Sequence, residues 1–458
     1  MKKTLFYLLI IVILSGCGNS GNGELVGVNK NSKPFYQPDP YGMAYIPMGS
    51  YTMGGGDEDI LYGQAHEPKT ISVSPFYMDE TEITNDEYRE FVYWVRDSIA
   101  RTLLGEALEE DYLILENDKT GEIYDPPFLN WKTDIDWNGE EEREVLEEMF
   151  LPEHERYFRK KQIDTRKLFY EYWWVDLHAA ASRSNRYNYD KDEDGNMTGN
   201  GQYGNNIADR SAFVKREIIN VFPDTLAWIH DYTYSFNDPI TKTYFWHPAY
   251  NHYPVVGVTW KQAKAFCIWR TQKINNYLSG RKGVSSVSEF RLPTEAEWEW
   301  AARGGFELNA FPWGGPYGRN HEGCFLANYK PLRGNYIDDG GLTTVIVAHY
   351  PANEWGLYDM SGNVSEWTSS AFNESSYNFT WDLNPNYTYN AKEDDAPVMK
   401  RKVIRGGSWK DIGYYLQVST RQYEYQDSAK CYIGFRCIQP FLGRQKGDNP
   451  SKASRIYH

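Results

Sequence analysis

A chain of 458 residues with 41 % hydrophobic content can form one large domain or two or three ordinary ones. Its formal charge of −15 argues against binding to a phosphate backbone, which needs clustered Lys and Arg. Aromatic residues reach 16 %, with 37 Tyr and 16 Trp; such rings pair apolar area with a polar handle that suits irregular backbone, so much loop is expected.

Lys2 and Lys3 precede an apolar run of ten residues, Leu5 to Leu14. A membrane-spanning helix needs about 20, so 1–16 reads as a signal peptide. Its ending, Leu14-Ser15-Gly16-Cys17, is the lipobox pattern, in which small residues precede a cysteine that takes a diacylglyceryl group. Cys17 is therefore the expected lipidation site and mature N-terminus, and two or more acyl chains anchor stably at roughly 0.8 kcal/mol per buried methylene. Gly18 and Asn19 stand where an Asp often retains lipoproteins in the inner membrane, which points to the outer membrane and a body facing the periplasm. Residues 17–40, rich in Gly, Asn, Ser and Pro, read as a flexible tether.

The core domain is expected over 41–442, opening at Tyr41 to Gly54 as alternating strands closed by glycines. Three capping boxes announce helices: Thr84 with Glu87, Thr259 with Gln262, and Thr294 with Glu297. Their apolar faces read as core, with Glu295, Glu297 and Glu299 structural rather than a catalytic carboxylate pair. Between the first two helices lies an insert, 96–245. It is expected to be acidic and helical over Glu106 to Glu116 and Glu140 to Phe150, and it continues to Phe169, Tyr172, Trp173, Trp174 and Val175. A solvated elaboration packed on the core and a partner-binding surface are equally open readings of it. Within it, Asp190, Asp192, Asp194 and Asn196 begin an EF-hand-like calcium loop, but Gly201 replaces the bidentate Glu, so an acidic turn is the alternative. His247 and His252 have no third ligand nearby and read as structural. Asn373 to Arg401 reads as a polar loop and 443–458 as a disordered tail. Besides Cys17, four cysteines remain, Cys267, Cys324, Cys431 and Cys437. In an oxidising compartment an even set suggests disulfides, with three pairings, or free buried thiols, open.

Near the C-terminus, Arg405-Gly406-Gly407-Ser408-Trp409 and Gly434-Phe435-Arg436-Cys437 bracket a stretch dense in Tyr, Gln and Arg. With Gly42 to Gly54, Arg291 to Ala302 and Gly356 to Trp367, these motifs resemble the formylglycine-generating-enzyme family, the sulfatase-modifying factors, over most of 41–440 apart from the insert. The resemblance implies an α+β, distantly C-type-lectin-like domain with much irregular structure and a long, partly helical insert. In the family's enzymes two cysteines after the RGGS motif bind copper and oxidise a substrate thiol. Those positions are Asp411 and Leu416 here, and no cysteine lies between Arg405 and Arg421. Neither copper nor catalysis is expected, and Trp409, Asp411, Tyr414 and Leu416 would line a degenerate pocket. The resemblance also implies a Cys267–Cys437 disulfide, worth roughly 3 to 5 kcal/mol, leaving Cys324 with Cys431. It implies calcium at two loops: Asn328 and Asp339 with the carbonyls of Tyr329 and Gly341, and Asp359 and Glu366 with those of Gly362 and Val364. Carboxylates that merely cap turns are the alternative.

Within that family, the lipobox, the Tyr41 to Ser50 opening, the Tyr189 to Asn200 stretch and the missing cysteines are similar to the GldK/PorK lipoprotein family of Bacteroidetes gliding motility and type IX secretion. This implies a structural outer-membrane lipoprotein forming a homo-oligomeric periplasmic ring with a GldN/PorN-like protein, in contact with other secretion-motor and outer-membrane components and with no nucleic acid. A lectin-like or peptide-binding lipoprotein, with Trp409 lining its pocket, and a GldJ-type gliding lipoprotein are the alternatives.

Overall fold

The structure, a computed structural model, describes residues 37, 39–54, 67–108, 112–117, 120–186, 207, 209–231, 238–279 and 286–443. The lipobox with Cys17, most of the expected tether, the loop bearing Asp190, Asp192, Asp194 and Asn196, and the tail after 443 lie outside the described residues. Residues 41–440 form one compact unit, and the two termini form another, in which the Leu442 amide donates to the Gln37 side chain.

In chain order the larger unit runs β1 (Met43–Ile46), β2 (Gly49–Met53), β3 (Lys69–Val73), β4 (Phe76–Asp79), α1 (Asn85–Leu108), β5 (Leu113–Glu116) and β6 (Ile123–Leu129). Next come α2 (Glu140–Val145), β7 (Phe169–Val175), α3 (Leu177–Ala181), β8 (Val214–Asn220), α4 (Ala227–Asp231), α5 (Pro239–Thr243), α6 (Trp260–Ser279) and α7 (Glu295–Arg303). It closes with β9 (Ser365–Ala371), α8 (Ser376–Phe379), β10 (Arg401–Arg405), β11 (Gln422–Tyr425), β12 (Ile433–Gly434) and β13 (Ile438–Pro440). The strands form a three-stranded sheet β1-β4-β13, a four-stranded sheet β11-β10-β9-β12 and three hairpins, β2-β3, β5-β6 and β7-β8. This is the mixed α+β architecture with much irregular backbone that the sequence implied.

All three capping boxes form. The Thr84 amide donates to Glu87 (2.8 Å), the Thr259 amide to Gln262 (2.8 Å) and the Thr294 amide to Glu297 (2.8 Å), each with a return bond from the third helical amide. Each box satisfies two backbone donors that a helix start leaves orphaned. Tyr88 and Phe91 of α1 then pack on Phe266 and Trp269 of α6 and reach Phe435. The core centres on α7, whose Trp298, Trp300, Ala296, Ala301 and Ala302 lie against β1 to β4, Leu357, Met360, Val418 and Ile438.

The insert is where the expected helices give way. Helix α1 passes Arg96 without a break and ends at Leu108, and the second half of the Glu106 to Glu116 stretch is strand β5. Gly105 lies under the hairpin: a Cβ there would come within 2.3 Å of the Leu113 side chain, which would have to move. Over Glu140 to Phe150 the chain is helical, α2 followed by a 3-10 turn over Leu146–Met149. Phe169 to Val175 forms a strand, as its run of aromatics favours, with Tyr170 and Tyr172 buried on one face and Phe169, Trp173 and Val175 exposed on the other. His247 caps a short turn, accepting the Ala249 amide at Nδ1.

Lys402, in β10, is 1 % exposed. Its ammonium donates to the Tyr389 carbonyl (2.7 Å) and lies 3.9 Å from the Trp260 ring centroid. Burial, with Lys264 nearby, brings its pKa down from 10.5 to about 7. The folded chain therefore sheds a proton that the unfolded chain keeps, and stability should rise from pH 7 to pH 10.5, by at most about 1.4 kcal/mol per pH unit. Lys402→Met is expected to raise the urea midpoint at pH 7 and flatten this rise. Urea titrations of both proteins at pH 7 and 9 check it, and parallel pH dependences would contradict it.

Candidate functional site

The three glutamates of α7 are the densest set of acidic groups in the core, and each is committed. Glu297 closes the capping box and takes a bidentate pair from Arg291 (2.8 and 2.7 Å). Glu295 binds Arg421 (3.0 Å) and the Tyr377 hydroxyl (3.0 Å). Glu299 binds Arg303 (2.7 Å) and Arg405, whose other amino group donates to the carbonyls of Ser419 and Thr420. Burial alone would raise the Glu295 and Glu297 carboxyls, but Arg421 and Arg405, and Arg291, more than offset it and hold both below the usual range. Carboxylates so held ionised cannot donate a proton, and their lone pairs are occupied by guanidinium, so general acid–base work is closed to them. Their role is structural.

The Arg405 to Cys437 stretch is built around a tight turn. Gly407 has φ 68°, and a Cβ there would meet the Tyr415 carbonyl at 2.7 Å. Asp411 accepts the Ser408 amide (3.0 Å) and hydroxyl (2.6 Å), closing the turn, and burial pushes its carboxyl up. Leu416 is buried against Phe311 and Ala327. Trp409 is 1 % exposed, stacks on Trp228 with centroids 5.9 Å apart, and donates its amide to the Asn363 carbonyl (2.9 Å). Tyr414 is half-buried, and its carbonyl accepts the Thr420 hydroxyl. The degenerate pocket expected at these residues is thus filled by their own packing, and the Trp409 ring has no open face for a ligand.

The two loops implied for calcium interlock through backbone. Asn363, with φ 57° and no exposure, receives the Val345 amide (3.0 Å), donates its side-chain amide to Glu82 (2.9 Å) and its backbone N–H to the Asn328 carbonyl (2.8 Å). Gly362 must be glycine, because a Cβ would sit 2.4 Å from that same Asn328 carbonyl. In the first loop Asp339 accepts the amides of Tyr329 (2.6 Å) and Gly341 (3.1 Å), and Asn328 donates to the Thr343 carbonyl (2.8 Å). In the second, Glu366 is taken by Arg436 (2.6 and 2.9 Å) and by the Trp298 indole (2.7 Å). Asp359 accepts the Ala348 amide (2.7 Å), leaving its Oδ1 without a partner, and burial raises its pKa to about 6. Of the ligand set implied by Asp359, Glu366 and the carbonyls of Gly362 and Val364, Glu366 is neutralised by a guanidinium, while Asp359 keeps a buried oxygen without a partner. Among the described residues no group of three or more His, Cys, Asp and Glu side chains is placed to hold a metal ion.

Cys267 of α6 and Cys437 come together as thiols with sulfurs 3.4 Å apart, both buried. Cys324 and Cys431 do not pair. Cys324 lies exposed on a turn where its amide donates to Asn320, whereas Cys431 is buried beside Trp409, and burial and Asp231 push its thiol pKa up. A feature not anticipated from the sequence is a cleft of about 440 Å³ between the end of β7 and α6, with Trp173, Trp174, Trp260, Lys264, Phe290 and Leu292 among its walls. Trp260 and Lys264 stand one helical turn apart, the only pattern that could have marked it.

A family model, the sulfatase-modifying factor enzyme 1-like domain, matches residues 29–148 and 225–440, on both sides of the β7-β8 hairpin. The chain belongs to this family. A second model, the prokaryotic membrane lipoprotein lipid attachment site, matches 1–17. Among relatives of this sulfatase-modifying-factor-like chain, an inactive C-alpha-formylglycine-generating enzyme 2 of Bos taurus is 34 % identical over 203 residues, 43 % of this chain and 53 % of that protein. The formylglycine-generating enzyme of the same organism is 31 % identical over 196 residues, 42 % and 45 % of the two chains. The chain thus spans about half the length of the curated relatives it matches. A solved structure, PvdO from Pseudomonas aeruginosa, is similar with a TM-score of 0.41 and 16 % identity, covering 87 % of this chain and 94 % of that one.

Glu299→Gln weakens the hold on two buried guanidinium groups, which is expected to cost about 3–5 kcal/mol of unfolding free energy. Urea denaturation measures this, and a variant as stable as the parent would refute the structural assignment of the α7 carboxylates.

Proposed function

We propose that this protein is a catalytically inactive, lipid-anchored scaffold of the GldK/PorK kind in the type IX secretion and gliding machinery. It would sit on the periplasmic face of the outer membrane and assemble with copies of itself and a GldN/PorN-like protein into a ring. The observation that supports this reading is a contrast between two regions. At Asp411 and Leu416 the side chains are spent on closing a turn and filling the core, leaving no nucleophile for oxidase chemistry. The segment outside the family match instead turns an apolar face to solvent: Phe169 is 52 % exposed, Trp173 54 %, Val175 50 % and Ile218 53 %. Within the β7-β8 register Phe169 lies opposite Asn220, Glu171 opposite Ile218 and Trp173 opposite Arg216, so these side chains share one face, with the Glu171–Arg216 ion pair between them. Large apolar side chains gathered on one exposed face around an ion pair suit an association site in a folded protein.

The test is the native mass of the protein extracted from its membrane in mild detergent. A particle far larger than a monomer, containing a second and smaller periplasmic protein, is expected. Phe169→Glu combined with Ile218→Glu should break it up without shifting the thermal melt, since both side chains are exposed. A protein that stays monomeric at high concentration would overturn the assembly reading.

A further inference from the structure

The cleft beside β7 has features that the exposed face of the hairpin does not. Consecutive residues Trp173 to His178 form one wall, so the strand offers its backbone as well as its side chains. That backbone is available. The Asp176 amide donates to the Phe213 carbonyl and the Val221 amide to the Leu168 carbonyl, which fixes the even-numbered residues of β7 as those bonded to β8. The amide and carbonyl groups of Glu171, Trp173 and Val175 therefore point to the other edge of β7, where no strand pairs among the described residues.

Four charged side chains line the cleft: Arg291 is paired with Glu297, Asp176 accepts the Ala179 amide, Glu289 is exposed, and Lys264 is held by one long ion pair. The Lys264 ammonium lies 3.8 Å from the Trp174 ring centroid, and its partner Glu217 is 3.4 Å away. Glu217 is already engaged by the Tyr172 hydroxyl and by the Trp174 indole (2.6 Å). Burial lowers the Lys264 pKa despite Glu217, as expected for an ammonium short of acceptors. The Ser369 hydroxyl, also lining the cleft, is buried without a hydrogen-bond partner.

We propose that this cleft binds an extended segment of a partner protein that adds a strand to the free edge of β7, seats a large apolar side chain among the three tryptophans and presents a carboxylate to Lys264. The strand edge supplies main-chain hydrogen bonds and the cavity supplies side-chain selection, the division of labour in strand addition. The volume of about 440 Å³ falls in the range of specific binding pockets. Lys264 is the lining cation that a carboxylate would reach, while Asp176 and Glu289 disfavour a carboxylate elsewhere in the cleft and so fix where on the segment it falls. The proposal rests on the reading of the chain as an assembly scaffold, and names the chemistry by which that scaffold would select a partner.

A random linear-peptide phage library panned on the folded chain tests it. Selected clones are expected to pair an acidic residue with a neighbouring large apolar one and to bind Lys264→Met at least about tenfold more weakly, since a buried charge-assisted bond is lost while the packing on Trp174 is kept. Val175→Pro, which removes an outward N–H without touching the ladder to β8, should weaken the same clones comparably. Clones that bind both variants as tightly as the parent, or no enrichment at all, would overturn the proposal. The particle mass separates the two readings. A particle that survives both substitutions, together with no cleft-dependent clone, removes the cleft and leaves the assembly; cleft-dependent clones on a protein that is always monomeric do the reverse.

Discussion

The constraint on which the rest of the structure depends is the pairing of fully buried guanidinium groups with carboxylates of α7 and β9. Arg405 meets Glu299 across 106 residues of sequence, Arg421 meets Glu295 across 126, and Arg436 meets Glu366 across 70. Removing such charges from water costs several kcal/mol per ion, recovered only when geometry and secondary hydrogen bonds are good. Here the second condition is met by carbonyls: Arg405 also binds those of Ser419 and Thr420, and Arg436 those of Asp79 and Tyr358. Long irregular segments that could not hold themselves by ladders are thereby pinned to one short helix and to β9.

These pairs stand apart from the turn that follows Arg405-Gly406-Gly407-Ser408. None of them uses Asp411 or Leu416, so the positions implied for the copper-binding cysteines can take a turn-closing carboxylate and a core leucine without disturbing the arginines. Asp411 stabilises that turn locally, by accepting the Ser408 amide and hydroxyl. The motifs of the matched blocks carry the ion pairs and the glycine turns, while the segment between those blocks carries the exposed aromatic face and one wall of the cleft.

Much of the core was legible because its signals are local. Thr84, Thr259 and Thr294 each found the partner three residues on, since a capping box is decided within one helical turn. The roles of Glu295, Glu297 and Glu299 as structural groups were legible as well, but the pairing of Glu295 with Arg421 and of Glu299 with Arg405 was not, because ion pairs across more than a hundred residues leave no spacing to read. Glu106 to Glu116 misled because acidic composition favours helix while Leu113 had a non-local reason to be strand, its packing over Gly105. Glu366 looked like a cation ligand by its place in a motif, and its capture by Arg436 is visible only in three dimensions. The cleft went unremarked because it is made by two distant segments, and the one-turn spacing of Trp260 and Lys264 marks only one of its walls.

The strand order β1-β4-β13 joins residues near the start of the domain to Ile438–Pro440 at its end. The central strand β4 therefore lacks one neighbour until almost the whole unit has emerged, and Arg436, two residues before β13, completes the ion pair with Glu366 at the same late moment. Contacts of such sequence separation make folding slow and leave sheet edges exposed in the meantime. For a chain delivered from its N-terminus across a membrane, the core cannot close during delivery, and the nearly complete domain must be kept from aggregating until its last strand arrives.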